Sequence, residues 1–243
     1  MRTGERCVFR TPKYAAFHLM LARWLRHHGT SCVFRYVTLG GTELKDVCSL
    51  HFIDTVLSAN ATSFETDAGR FEIATETAER LQAVGVEVRI LPEDIFAYKR
   101  QGELPHLFFV DLCGICSGSD YPERFAEMLE RRALREGDAL LITSYLGRNP
   151  GWEKIFAFYE NEFTTLGVTD KVEKRNWYRR AHPSFTLYRA LALRGLEHEI
   201  ALKCLGFIEY RGDSTMGLYG YVVLEGTTGF SSFVSGFPQF EIR

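Results

Sequence analysis

No stretch of this chain stays apolar over the roughly 18 residues that a membrane-spanning helix needs. Its first residues lack the apolar core of a secretory signal; they are Arg-rich and amphipathic, which leaves an organellar presequence open. The six cysteines, at 7, 32, 48, 113, 116 and 204, follow no regular spacing. They read as reduced thiols of a cytoplasmic protein rather than a disulfide framework. Cys113 and Cys116 form a C-x-x-C, but no second C-x-x-C and no histidine pair at ligand spacing completes the four donors of a structural zinc. Internal repeats and low-complexity linkers are missing as well.

What is present is ordinary in bulk and uneven in charge. With 46% apolar and 25% charged residues, 243 residues can bury a full core without disulfides or metal. The net charge of −2 hides an asymmetry. Residues 1–35 carry seven Arg or Lys against the single acid Glu5, whereas residues 36–129 carry seven basic and sixteen acidic residues. A basic arm beside an acidic middle suggests a polyanionic partner, with a solvated helix face as the plainer reading.

Periodicity gives the organisation. Thr11 and Pro12 read as a helix start, and Phe17, Met20, Leu21, Trp24 and Leu25 form one buried stripe before Gly29. A strand over 32–39 leads through glycines into a helix over 42–58, and a short strand follows over 61–65. Asp67 caps a helix carrying Phe71, Ala74, Ala78 and Leu81 on one face, and a strand over 86–91 comes next. The strand at 106–112 precedes a helix that starts at Asp120 and Glu123 like a capping box, and 139–146 is the fifth strand.

Strands alternating with helices predict right-handed crossovers and a mostly parallel sheet with helices on both faces. Near-continuous apolar strands such as "LFFV" and "ALLI" agree, because parallel strands are buried on both sides. Beyond 146 the rhythm changes. Residues 147–183 read as an insert, 184–204 as a helix, and the last part as two extended runs around a Gly/Asp/Ser turn. The expectation is a single α/β domain over 1–243: an arm and helix to 31, a core over 32–146, the insert, and an antiparallel pair at one sheet edge.

In such a sheet a ligand binds outside the carboxyl ends of the strands, where strand order reverses. Those ends read "LGGTE" with Gly40, Gly41 and Glu43, "SFETD" with Glu65 and Asp67, "LPEDI" with Glu93 and Asp94, and "VDL" with Asp111. This pattern resembles the class I S-adenosylmethionine-dependent methyltransferases, a Rossmann-like superfamily, over about residues 32–146. The resemblance implies that the glycine loop passes under S-adenosylmethionine, that Glu65 holds the ribose hydroxyls, and that Asp94 faces the adenine amine. It also places Glu43, Asp67 and Glu93 near the cofactor and Asp111 beside the reactive methyl. The chain departs from the family's loop, an acid followed by three alternating glycines: Thr38 stands in the acid's place, and only Gly40 and Gly41 follow. The G-x-G-x-x-G of nicotinamide enzymes is absent.

Asp111 is the expected catalytic residue, orienting or deprotonating the acceptor. Cys113 and Cys116 are read as pocket lining, with a redox pair, a metal clip or a nucleophile as alternatives. The stretch also resembles the cysteine motif of enzymes that methylate cytosine carbon, without that motif's proline and with a longer spacing. Lys171, Lys174, Arg175, Arg179 and Arg180 interleave with Trp177 and Tyr178, a composition that suits single-stranded nucleic acid. Two functions follow: a methyltransferase whose acceptor includes nucleic acid among its candidates, or a non-catalytic nucleotide-binding or partner-recognition module of the same fold.

Overall fold

The computed structural model describes residues 12–28, 33–53, 61–112, 120–146, 151–211, 215–226 and 239–242. Five strands run parallel to one another: β1 (Arg35–Thr38), β2 (Ala61–Phe64), β3 (Val88–Leu91), β4 (His106–Asp111) and β5 (Ala139–Tyr145). β6 (Ile200–Arg211) and β7 (Thr215–Glu225) form the expected antiparallel pair, and β7 runs antiparallel along β5. One strand is added beyond that pair, β8 (Gln239–Ile242), parallel to β6. The order is β3-β2-β1-β4-β5-β7-β6-β8, so the strand sequence reverses between β1 and β4.

Alternate residues of the apolar strands feed two separate cores. Leu107, Phe109, Ala139 and Leu141 face one side with α1 (Pro12–His28) and α2 (Lys45–Ile53). Phe108, Val110, Leu140 and Ile142 face the other with α4 (Tyr121–Glu130) and α7 (Lys171–Leu193). That two-sided burial is why these strands read as unbroken apolar runs. Phe17 and Trp24 of the α1 stripe are fully buried, each contributing roughly 2 to 3 kcal/mol of apolar burial. Helix α1 lies close on β7 because Gly220 has no side chain: a Cβ there would stand 2.5 Å from Met20 Sδ and 2.6 Å from its Cγ.

α3 (Ala68–Gln82) starts where expected, with the Asp67 side chain accepting from Arg70 N at 2.9 Å. α4 begins at Tyr121 after Asp120, but Asp120 makes no side-chain cap bond, so the expected capping box does not form. The larger correction lies beyond residue 146. The predicted insert contains α5 (Trp152–Phe158), α6 (Glu160–Thr165) and the first half of α7, while residues 200–204 belong to β6 rather than to a helix. Asp170 starts α7 by accepting from Val172 N and Glu173 N at 2.8 and 3.0 Å. The helix then runs through Pro183, which has no N–H for the carbonyl of Arg179. The hydroxyl of Tyr219 donates to that carbonyl instead.

Candidate active site

A cavity of about 430 Å³ opens at the carboxyl ends of β1 to β4, over the point where strand order reverses. A larger hollow of about 520 Å³ lies between α3 and the amino ends of β1 to β3, lined in part by Arg35, Thr62, Glu79 and Arg89. The first is the candidate site, because it gathers the strand-end carboxylates on a concave wall.

Its floor is the loop after β1. Gly40 N donates to Ser63 Oγ at 3.0 Å, and a Cβ at Gly40 would press on Leu44, Ser63 and Asp46 at 3.0 to 3.1 Å. Gly41 has φ of +60°, the left-handed region that glycine adopts without strain, and only Arg70 comes within 4 Å of where its Cβ would be. Leu44, buried, also sits at φ of +47°, a conformation that costs a non-glycine residue roughly 1 to 2 kcal/mol. The loop is therefore tight on its packed side and open toward the cavity.

Three acids on the wall each meet one cation. Glu65, with its side chain 13% exposed, accepts from Asp67 N at 3.1 Å and pairs with Arg70 Nε at 3.2 Å. Asp94 caps a short 3-10 turn at Ile95–Ala97, accepting from Phe96 N at 3.0 Å, and pairs with Arg124. The Arg124 guanidinium lies 4.3 Å from the Phe96 ring centroid, and Tyr121 stacks on Phe96 at 5.7 Å. Asp111 pairs with Lys13 and accepts from Thr143 Oγ1 at 2.5 Å. Lys13 Nζ lies 5.7 Å from the ring centroids of Tyr14 and Phe109.

Of the residues expected from the sequence, Gly40, Gly41, Glu65, Glu93, Asp94 and Asp111 line this cavity. Glu43 and Asp67 do not: Glu43 pairs with Lys45, and Asp67 is spent on the cap of α3. Cys113 and Cys116, and the arginines at 2, 6 and 10 of the basic arm, lie outside the described residues. In the 171–180 stretch, Lys174 bonds Glu160 at 2.7 Å, Arg179 reaches Glu209 at 3.2 Å, and Arg175 lies 5.6 Å from the Trp152 ring centroid. Among the described residues, no three His, Cys, Asp or Glu side chains are grouped to hold a metal ion, and no helix is long and apolar enough to cross a membrane.

Sequence reasoning missed the acid that stands deepest. Asp46, in the first turn of α2, is 4% exposed and lines the cavity. One of its oxygens, Oδ2, accepts from Tyr36 at 2.6 Å and from Thr38 at 2.5 Å. Burial pushes the hydroxyls of Tyr14 and Tyr36 above the usual tyrosine range, and the charge of Asp46 adds to both.

No family model matches the sequence, and no curated protein matches it either. Solved structures do. One from Listeria monocytogenes, named as a class I S-adenosylmethionine-dependent methyltransferase, aligns over 96% of this chain and 65% of its own at a TM-score of 0.52 and 11% identity. The fold is that of the class I methyltransferases. Weaker similarity extends to the plantazolicin methyltransferase solved with an analogue of its substrate and SAH, at 9% identity over 84% of this chain and 81% of that one, TM-score 0.45. A SAM-dependent methyltransferase from Aquifex aeolicus aligns at 12% identity over 82% and 87%, TM-score 0.43. The mostly parallel sheet, its likeness to the Listeria structure and the sequence-level resemblance agree on this fold.

Proposed function

We propose that the protein transfers a methyl group from S-adenosylmethionine to an acceptor. The observation that carries this reading is that Glu65 and Asp94 share one cavity with the Gly40–Gly41 loop, at the point where strand order reverses. The residues fit the cofactor. Glu65 can accept from paired ribose hydroxyls, and Asp94 is a carboxylate acceptor for an exocyclic amine. Gly41 leaves its backbone open to the cavity.

When bound, S-adenosylmethionine supplies a methyl group activated by its sulfonium. The chain's own work is positioning, which brings the acceptor in line with that methyl. The acid-rich wall favours a cation. Asp111, at the end of β4, is the residue placed to orient the acceptor, and Lys13 is set to balance its charge. The rings of Tyr14, Phe109 and Tyr121 line the same volume.

A second reading, a non-catalytic module of this fold, is favoured by one observation: both oxygens of Asp111 are already engaged, by Lys13 and Thr143. Calorimetry with S-adenosylmethionine and S-adenosylhomocysteine tests the shared premise, and saturable binding of one molecule per chain is expected. No heat with either ligand at millimolar concentration removes the methyltransferase reading. Incorporation of labelled methyl into any cellular fraction then separates the enzyme from the module.

A further inference from the structure

The hollow beside α3 shares no lining residue with the acid-rich cavity. Its shape follows from the crossover between β3 and β4. Residues 92–105 supply one short 3-10 turn, and Phe96 of that turn packs on Phe125 of α4 rather than over the outer strands. Strand alternation and register set Arg35, Thr62 and Arg89 on the face of Val37, while Ala61, Val88 and Ile90 join the core that holds Ala78 of α3. At the amino ends of β1 to β3 that first face stays open: Arg35 and Thr62 are half-buried, Arg89 is exposed, and all three line the hollow.

Arg35 is the surplus cation of this region. Arg100 is bound to Asp138 and Arg135 to Glu103. Arg35 Nε is buried without a hydrogen-bond partner, and no ion pair reaches its guanidinium among the described residues. Gly102 lies close to it: a Cβ there would stand 3.7 Å from Arg35 Nη2 and 3.9 Å from Nε. The positive charge is felt at His106, whose pKa is lowered first by burial and further by Arg100, Arg35 and Arg135. A buried donor left unpaired is costly, and an oxyanion matches the fork of donors that a guanidinium presents. Glu79 and Glu87 also line the hollow, both exposed and without an ion pair among the described residues, so they disfavour a long polyanion such as nucleic acid. The volume of about 520 Å³ suits a small molecule. We infer that this hollow binds a small metabolite through a phosphate or carboxylate group seated on Arg35, with Arg89, Thr62 and Gln101 beside it. The site stands apart from the methyl-transfer reading and does not rest on it.

The test is an NMR titration of the full chain, reading the Arg35 Nε–H signal and the backbone amides of Gln101 and Gly102. The probes are inorganic phosphate and citrate, each against sodium chloride at matched ionic strength. A saturable shift of these signals is expected at millimolar phosphate or citrate and not with chloride. Saturation by phosphate alone points to a phosphate-bearing ligand, by citrate alone to a carboxylate, and by both to oxyanion charge as the sole requirement. No saturable shift with either probe, or the same shift with chloride, overturns the site without any need for a variant. Arg35→Met should weaken the effective probe about 10-fold or more, read at the two amides, as loss of a charged hydrogen bond predicts. Arg89→Gln should weaken it only about 2- to 5-fold, because an exposed charge is screened. Arg35→Met removes an unpaired cation, so its urea midpoint should equal or exceed that of the wild type. A lower midpoint with unchanged probe affinity would leave Arg35 a packing role alone and overturn the assignment.

Discussion

Lys13 of α1 and Asp111 of β4 are 98 residues apart in the chain and form one ion pair at the cavity, while Thr143 of β5 holds the other oxygen of Asp111. A carboxylate so held is a good orienting group and a poor free base. Asp111→Asn keeps its shape and an acceptor for Thr143 but leaves Lys13 without its counter-charge. Turnover should fall about 100-fold, in the range that losing an acid–base or orienting group costs. Affinity for S-adenosylhomocysteine should stay nearly constant. Single-turnover kinetics on a known acceptor checks this, and an unchanged rate would remove Asp111 from the chemistry.

Glu65 and its partner Arg70 should behave differently. Glu65→Ala removes the acceptor proposed for the ribose and should weaken S-adenosylhomocysteine by about 1 to 3 kcal/mol. The Arg70 side chain is 60% exposed, so breaking the same pair with Arg70→Ala should cost less than about 1 kcal/mol of folding stability. Calorimetry reads the first effect and urea denaturation the second. Tight binding by Glu65→Ala would mean that the end of β2 does not meet the nucleoside.

Stability should fall as the solution is acidified from pH 6.5. Burial lowers His182 to about 3 and His106 to about 4, both from 6.5. His182 lies 3.1 Å from Ser144 Oγ and 3.3 Å from the Tyr219 hydroxyl, and the His106 ring lies 2.8 Å from the Tyr98 hydroxyl. Both folded values lie below the unfolded one, so the unfolded chain binds more protons between them. The neutral-histidine contribution is therefore complete above pH 6.5 and is lost as pH drops toward 4. Each histidine adds a slope of up to about 1.4 kcal/mol per pH unit. Asp138 works in the opposite sense near and above pH 3.8, since burial raises its carboxyl. Urea midpoints from pH 4 to 8 measure the sum, and a flat profile would contradict the buried neutral rings.

The fit of α1 on β7 can be tested at Gly220. Gly220→Ala places a methyl against Met20 and should cost about 1 to 3 kcal/mol, the usual penalty of overpacking. Adding Met20→Ala should recover part of that loss if the clash is the cause. Because α1 also carries Lys13 and Tyr14, the single variant should weaken cofactor binding although it lies outside the cavity lining. Equal denaturation midpoints for wild type and Gly220→Ala would show that the helix adjusts freely.

How much of this could be read from the sequence depended on the range of the forces involved. The five parallel strands were legible because Leu107 to Val110 and Ala139 to Ile142 alternate between two cores, leaving no polar interruption. Glu65, Asp94 and Asp111 were legible because the end of a strand fixes where its next residue stands. α7 was not, because Pro183 signals a break and the hydroxyl that takes up the freed carbonyl comes from Tyr219, 40 residues from Arg179. Asp46 looked like an ordinary acid in a first helical turn. Its bonds from Tyr36 and Thr38 become visible only once α2 is packed beside β1. The pairing of Lys13, Arg70 and Arg124 was equally hidden, because long side chains reach partners that spacing does not specify.

β3 has a consequence for how this site breathes. It is four residues long, occupies the outer edge of the sheet, and none of its residues is fully buried. Glu93 and Asp94 follow it after Pro92. Detaching such an edge breaks few apolar contacts, so amide hydrogens there can exchange through local opening while β4 and β5 stay closed. A nucleoside gripped by Asp94 would tie down that loose border, and part of its binding energy would go into ordering it. Ligand affinity and amide protection of residues 88–91 are then two measures of one equilibrium.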